Sequence, residues 1–133
     1  MKSAILLAVI LATVGSLLGE LPPWVYKERQ DKAPETLIIK VRSVSRVEKK
    51  DDQGTTIQFT VEAEIQKVER SATKLAPGMT ITIVYSQRHY SQPIVGPSEV
   101  PTLKEGQIYP AYLSVEGKTY SPAAGGHSFE AIR

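Results

Sequence analysis

The two histidines are the first candidates for chemistry in this sequence. They are His89 and His127, and the chain has no cysteine. A protein metal site needs several imidazole, thiolate or carboxylate ligands at close spacing, and neither histidine has a second one three or four residues away. The sequence therefore predicts no metal site and no cofactor. We interpret both histidines as hydrogen-bonded or solvated loop residues.

Nucleophilic and acid–base constellations are also missing from the sequence. Ser128 follows His127 directly, but adjacent side chains on an extended chain point in opposite directions, so this histidine cannot readily activate its neighbour. No Gly-x-Ser-x-Gly motif is present. Glu62 and Glu64 share one face of a predicted strand, yet basic residues are predicted opposite both, which disfavours a glycosidase pair. The sequence thus predicts no catalytic residue and no enzyme, with an enzyme of unrecognised site as one alternative.

A binding surface is the chemistry that the remaining residues favour. Arg88, His89 and Tyr90 lie together at the start of a segment, residues 87–104, that is rich in proline and has no strand or helix period. An aromatic ring beside cationic groups suits contact with a partner, and long loops in small domains are often functional. We predict that this loop and the tail 125–129, with His127, form the contact surface.

Charge disfavours a nucleic-acid partner. The chain has 16 basic and 14 acidic residues, and without Lys2 its net charge is about +1. Lys49 and Lys50 are followed at once by Asp51 and Asp52. A nucleic-acid binder carries a clustered basic surface, because each phosphate contact neutralises a charge. We therefore expect a protein or a component of the cell envelope as partner, and no nucleic acid.

The first nineteen residues have the pattern of an export signal. Met1-Lys2-Ser3 precedes an apolar run that continues to Leu18. Fifteen helical residues span ~22 Å, short of the ~30 Å hydrocarbon core of a membrane. The sequence predicts a signal peptide over residues 1–19, an exported protein that is periplasmic or secreted, and no membrane span after cleavage. Retention of the segment as an anchor is the alternative.

Residues 20–35 form the second predicted region. Proline, lysine and glutamate dominate it, and its bulky side chains include Trp24 and Tyr26. We interpret the region as an extended arm whose aromatic residues either fold back over an open end of the domain or protrude as a recognition arm. The third region, residues 36–133, is the predicted folded domain.

Four segments of that domain have the composition of β-strands, namely residues 36–47, 55–66, 79–85 and 108–115. In the second of them apolar and polar residues alternate without error, which predicts a strand with one buried face. The alternation slips after Lys67, which predicts a bulge or a strand end. Pro110 lies inside the fourth segment and predicts an edge position or a bulge, because proline lacks the N–H group.

The first two predicted strands are joined by a charged connection that ends in Gly54, as in a hairpin. A register in which paired residue numbers sum to about 104 matches both faces. It places Val41 opposite Ala63 on the apolar face and Arg42 opposite Glu62 on the polar face.

Short strands, short turns and no helical period outside the signal predict an all-β domain. A small five-stranded barrel of OB type fits the curved first hairpin and the Pro-Gly turn that precedes the third strand, and a small β-sandwich is the alternative.

Two stretches support the barrel by resemblance to a known family. Val61-Glu62-Ala63-Glu64-Ile65 followed by Leu75-Ala76-Pro77-Gly78-Met79-Thr80-Ile81-Thr82-Ile83, and later Leu103-Lys104-Glu105-Gly106-Gln107-Ile108-Tyr109, resemble exported OB barrels of the TIMP and netrin-like kind. The resemblance implies the fold over residues 36–115. It does not imply metalloprotease inhibition, which in that family depends on an N-terminal cysteine.

The sequence therefore favours an exported, non-enzymatic binding module. A structural or accessory subunit of an envelope assembly, docked through the arm around Trp24, is the alternative.

Overall fold

The computed structural model describes residues 21–92 and 99–131. Its elements in chain order are helix α1 (Pro23–Lys32), strands β1 (Glu35–Asp51), β2 (Gly54–Ser71), β3 (Thr80–Tyr90), β4 (Ile108–Glu116) and β5 (Thr119–Pro122), and a 3-10 helix (Gly125–His127). The predicted signal peptide, residues 1–19, lies outside the described residues.

The five strands close into a barrel in the order β1-β2-β3-β5-β4. All neighbouring strands are antiparallel except β3 and β5, which pair in parallel at Ile83 and Tyr120. Strand β1 closes the barrel because it pairs with β2 on one side and with β4 on the other. The predicted small all-β barrel is confirmed, rather than the sandwich.

The core of the barrel follows from the alternation in β2. The apolar residues predicted to face inward are buried there: Ile57, Phe59, Val61, Ala63 and Ile65. The Phe59 ring stacks on Tyr85 with ring centroids 5.0 Å apart, and Tyr85 lies 6.2 Å from the ring of Phe129. Phe129 belongs to the chain terminus, so the last described residues complete the core that the strands begin.

The predicted hairpin register is confirmed in its central part. Val41 pairs with Ala63, as the sum of about 104 requires. Strand β2 does not end near Lys67 but continues to Ser71. The break in alternation predicted after Lys67 is a bulge, because the register between β1 and β2 shifts between the β1 residues Ile38 and Ile39.

The predicted register is wrong from Arg42 onward. After Val41 the next pair is Ser43 with Glu62, so Arg42 is an extra residue, a bulge that bends β1. The expected pairing of Arg42 with Glu62 is therefore not formed, and the guanidinium pairs with Glu64 instead.

Among residues 21–92 and 99–131, Pro110 has a strand neighbour on one side only. It pairs with Ile38 of β1, while the register between β4 and β5 begins further along, at Leu113. The edge-like position predicted from the missing N–H group is thus present inside a closed barrel.

Residues 23–32 form a helix, where the sequence led us to expect an extended arm. Pro23 occupies the first turn, where a missing N–H group costs nothing. Two ion pairs, each between residues one turn apart, stabilise the exposed face of the helix: Lys27 with Asp31 at 3.0 Å and Lys32 with Glu28 at 2.7 Å. Within residues 21–92 and 99–131, no helix combines the length and the apolar composition needed to cross a membrane.

Polar contacts fasten α1 to the barrel. The buried Gln30 side chain donates through Nε2 to the carbonyl oxygens of His127 at 2.7 Å and Glu130 at 2.8 Å. Tyr26, one turn earlier, is buried, whereas Trp24 is 66% exposed. The arm therefore folds back through Tyr26, and of these two aromatic residues Trp24 is the one presented to solvent.

The buried carboxyl group of Glu35 organises the chain where β1 begins. Its oxygens accept hydrogen bonds from the Ser71 hydroxyl, from the Ala72 backbone N–H at 3.0 Å and from the Thr73 hydroxyl at 3.1 Å. These donors are the last residue of β2 and the two residues after it, so one side chain fixes where the two strands part.

Replacing Glu35 with alanine removes the acceptor that these three donors share. We expect Glu35→Ala to lower the free energy of unfolding by about 2 kcal/mol in chemical denaturation. The matched control is Glu69→Ala on the same hairpin, an exposed residue whose loss changes stability by less than about 0.5 kcal/mol. Equal effects of the two substitutions would show that the Glu35 contacts do not stabilise the fold.

Candidate functional site

Three of the four predicted binding residues lie at the end of strand β3, not in a loop. Arg88, His89 and Tyr90 continue the pairing of β3 with β2, which runs up to the pair of Tyr90 with Gly54. The predicted loop 87–104 is thus wrong at its beginning, and residues 93–98 of it lie outside the described residues. The strand backbone therefore determines where these three side chains point.

The fourth predicted residue, His127, lies elsewhere. Its ring packs 4.2 Å from that of Tyr26, and its Nδ1 pairs with the carboxylate of Glu130. His127 packs on helix α1, which precedes the start of β1, whereas Asp51, the partner of Arg88, lies at the end of β1. Seventeen strand residues cover roughly 50 Å along the strand at ~3.3 Å each. The structure does not bring His127 together with the other three residues, and the tail packs on α1.

Arg88 is the organising side chain at the tip of the first hairpin. Its Nη1 and Nη2 donate to the two carboxylate oxygens of Asp51 at 2.8 and 2.7 Å, and Nη1 also donates to the Thr56 hydroxyl at 2.8 Å. Such a two-bond guanidinium–carboxylate contact fixes the plane of both groups. The end of β3 is thereby fastened across β2 to the end of β1.

Asp51 also builds the turn that follows it. Its Oδ1 accepts hydrogen bonds from the backbone N–H groups of Gln53 at 2.8 Å and Gly54 at 3.1 Å, a pattern typical of aspartate in tight turns. The Arg88 hydrogen bonds, and then those from the turn, lower the pKa of Asp51 from 3.8 to about 2. The carboxylate is therefore ionised throughout the neutral range.

Gly54 permits the close approach of β3 to the turn. A Cβ atom at this position would lie 2.2 Å from the carbonyl oxygen of His89 and 2.8 Å from the Cα of Tyr90. Both neighbours are backbone atoms, which cannot rotate away. The glycine is thus needed for the strand pairing that carries the predicted site.

Tyr90 presents its ring to solvent beside the two-bond contact of Arg88 with Asp51, which we call the clamp. The ring is 46% exposed, and the Arg88 guanidinium carbon lies 5.2 Å from its centroid. A groove of about 330 Å³ adjoins it, and its described lining is Asp52, Gln53, Tyr90, Ser91 and Gln92. We call Asp51, Thr56, Arg88, Tyr90 and this groove the hairpin-tip surface.

His89 has a structural contact instead of a free imidazole. It points to the opposite face of β3 from Arg88, where its Nε2 lies 3.0 Å from Oε1 of Gln87. The same glutamine donates through Nε2 to the carbonyl oxygen of Val100 at 2.8 Å. His89 and Gln87 therefore help to hold the chain that returns across the end of the barrel.

The sequence analysis missed Asp51 and Thr56 as members of the site. Both lie more than 30 positions from Arg88. The β2–β3 register brings Thr56 beside it, and the β1–β2 register adds Asp51. The turn-forming sequence Asp51 to Gly54 was a usable signal for a hairpin end, but not for the strand that packs against it.

Ser128, which follows His127 directly, has a structural role in the tail. The Ser128 side chain is buried, donates to the carbonyl oxygen of Gly125 at 2.8 Å and accepts from the backbone N–H of Ala124 at 2.9 Å. It closes a turn. Among residues 21–92 and 99–131, no group of three or more His, Cys, Asp or Glu side chains could hold a metal ion.

No protein-family model, no curated protein and no solved structure matches this chain. The function is therefore argued from the geometry of the hairpin tip.

The clamp is testable through the ionisation of Asp51. Its carboxyl carbon should titrate by NMR with a midpoint near pH 2. The folded-state pKa lies below the ordinary 3.8, so the stabilisation by the clamp is present above about pH 4 and is lost as the pH falls through about 2. In Arg88→Ala the midpoint rises towards 3.8 without reaching it, because the turn N–H bonds remain. The control Arg42→Ala removes a guanidinium that pairs elsewhere and leaves the midpoint unchanged; an unshifted midpoint in Arg88→Ala contradicts the clamp.

Proposed function

We propose that this chain is an exported, non-enzymatic binding module of OB type that holds a protein partner at the hairpin-tip surface. The observation that carries the proposal is the exposed Tyr90 ring beside Arg88, itself held by Asp51 in a two-bond contact. Tyrosine and arginine are among the residues that contribute most to protein interfaces.

The fixed geometry of the tip favours binding. An unrestrained arginine loses rotamer freedom when it enters an interface, which weakens association. Arg88 is already held by Asp51 and Thr56, and its side chain is only 23% exposed. Its charge is balanced by Asp51, so Arg88 adds no net charge beside the flat ring and the polar groove. This chemistry suits a protein surface better than a polyanion.

The strand order supports the OB-type assignment. Barrels of this type have five strands, and they bind ligands on the face of strands 2 and 3 and with the loop between strands 1 and 2. Thr56 of β2 and Arg88 of β3 are paired residues, and the β1–β2 turn lies beside them. The hairpin-tip surface therefore occupies the region that such barrels use. The TIMP and netrin-like resemblance of the sequence fits the same proposal.

A second candidate function rests on Trp24. This side chain is 66% exposed on α1, and a groove of about 370 Å³ lies beside the helix, lined by Val25, Glu28, Arg29, Lys32, Ala33, Pro34, Ser114 and Ala123. An exposed tryptophan on a helix that also lines a groove suits a docking surface. The candidate is a structural or accessory subunit that attaches to an envelope assembly through α1.

A pair of aromatic substitutions separates the two candidates. Wild type, Tyr90→Ala and Trp24→Ala are expressed in the native host, cross-linked in cells, and their partners quantified by mass spectrometry. We expect Tyr90→Ala to reduce the principal cross-linked partner at least about tenfold, while Tyr90→Phe and Trp24→Ala retain it. Loss in Trp24→Ala alone would establish the second candidate, and retention in all variants would refute both.

Export is part of the proposal and has its own test. Fractionation of the native host should place the protein in the periplasm or the medium, with a mature N-terminus after Ser16 or Gly19 by intact-mass measurement. A lysine in place of Leu7, within the apolar run, should leave the unprocessed chain in the cytoplasm. Cytoplasmic wild-type protein with an intact residue 1 would contradict export.

A further inference from the structure

Strand β1 has a free edge along its second half. It pairs with β4 only from Glu35 to Lys40, and the last contact on that side joins Val41 to Gly106 and Gln107. From residue 43 to 51 it pairs with β2 alone among the described parts of the chain. A strand edge of this length is a template for another strand.

The strand pairing shows which backbone groups this edge offers. Just before β2 the carbonyl oxygen of Gln53 accepts from the N–H of Ser91 at 2.9 Å, and within β2 the N–H of Ile65 donates to the carbonyl oxygen of Met79 at 2.8 Å. Odd-numbered β2 residues therefore bond on the β3 side. Even-numbered β2 residues therefore bond to β1, where their partners are Ser43, Ser45, Val47, Lys49 and Asp51. The intervening residues turn their N–H and C=O groups to the free edge; these are Val44, Arg46, Glu48 and Lys50.

The edge has its own centre of symmetry at Val47. When two copies of a strand pair in an antiparallel sense about a two-fold axis normal to the sheet, each side chain stays on its own face, so only residues of equal parity oppose each other. Pairing residues 43–51 along their whole length places the axis at Val47, which is 58% exposed on a single copy. The two valines would then cover one another.

The charges of the edge match in this register. Arg46 opposes Glu48 of the second copy, and Glu48 opposes Arg46 of the second copy, so two opposite-charge pairs flank the axis. Lys49 and Lys50 oppose Ser45 and Val44, and no lysine opposes a lysine. Moving the axis by one residue, to Arg46 or Glu48, would set like charges directly against each other.

Arg46 and Glu48 are already arranged for such a contact. Within one copy Arg46 Nη2 lies 2.9 Å from Glu48 Oε1, and the guanidinium carbon lies 5.6 Å from the centroid of the buried Phe59 ring. Their backbone groups are the ones that face outward, so the two residues would also exchange both N–H···O bonds with the second copy.

We propose that residues 43–51 of β1 form a dimerisation edge, at which a second copy of this chain continues the sheet in antiparallel register about Val47. The hairpin-tip surface carries its exposed ring on β3, on the other side of β2, so the dimer leaves it accessible. The proposal does not depend on the proposed function.

Charge reversal and its restoration provide the test. Sedimentation of the protein purified from its host, from about 1 μM to about 1 mM, should show a reversible dimer. Arg46→Glu and Glu48→Arg should each raise the dimer Kd at least about tenfold, because each places like charges at both symmetric positions. The double variant restores opposite charges and should return the Kd to within about threefold of wild type.

Two further variants separate backbone pairing from general charge. Glu48→Pro removes an N–H group that faces away from β2, so the fold should be retained by circular dichroism while the dimer is lost. Lys118→Glu, an equal charge reversal in the exposed β4–β5 turn, should leave the Kd unchanged. A monomer throughout the concentration range, or a double variant no tighter than the single ones, overturns the proposal.

Discussion

The structure depends on the change in hydrogen bonding along β1. Up to Val41 this strand is bonded on both sides, to β2 and to β4 with the turn before it, and this two-sided bonding closes the barrel. At Arg42 an extra residue bends the strand, and beyond it only β2 remains as a neighbour within the part of the chain that the structure describes. The bend separates the part of β1 that closes the barrel from a part that continues with β2 as an extended hairpin, in which the β2 residues Ile57 and Phe59 still belong to the core. A barrel closed along the whole of β1 would have no such extension.

The extended hairpin must be held by other interactions than barrel closure. A two-stranded ribbon is marginally stable in water, and a third strand makes it secure. Strand β3 supplies the third strand up to Tyr90, and the Arg88–Asp51 contact joins the two outer strands across β2. The residues that we propose to bind a partner are thus also those that keep the hairpin in one shape. This explains why Arg88 forms an ion pair with Asp51 of the same chain.

The sequence was sufficient to predict a strand where one face is apolar without interruption, as in β2. The predictions of strand and helix bounds were wrong where polar side chains point inward. Gln87 is buried and bonded to the carbonyl oxygen of Val100, so β3 continues beyond the end of its apolar alternation. In α1 the two buried residues, Tyr26 and Gln30, lie one helical turn apart. Because Gln30 is polar, the sequence does not show the apolar repeat that predicts a helix. The bulge at Arg42 depends on contacts with two other strands. Local pattern cannot report such partners, and for the same reason Asp51 was not assigned to the site of Arg88.

Polar bonding at the ends of the barrel also determines where function can be placed. At one end of the barrel Gln30 donates to the backbone of the last described residues, which pack on α1. At the other end Tyr85 donates to the carbonyl oxygen of Pro101, and Gln87 donates to the connection that follows it. Burial raises the pKa of Tyr85, so its hydroxyl remains a donor at neutral pH. These bonds act beside apolar contacts, since Leu103 and Phe129 of the same connections belong to the core. The exposed aromatic residues Trp24 and Tyr90 therefore lie on elements that polar bonds hold in place, Gln30 in α1 and Arg88 in β3.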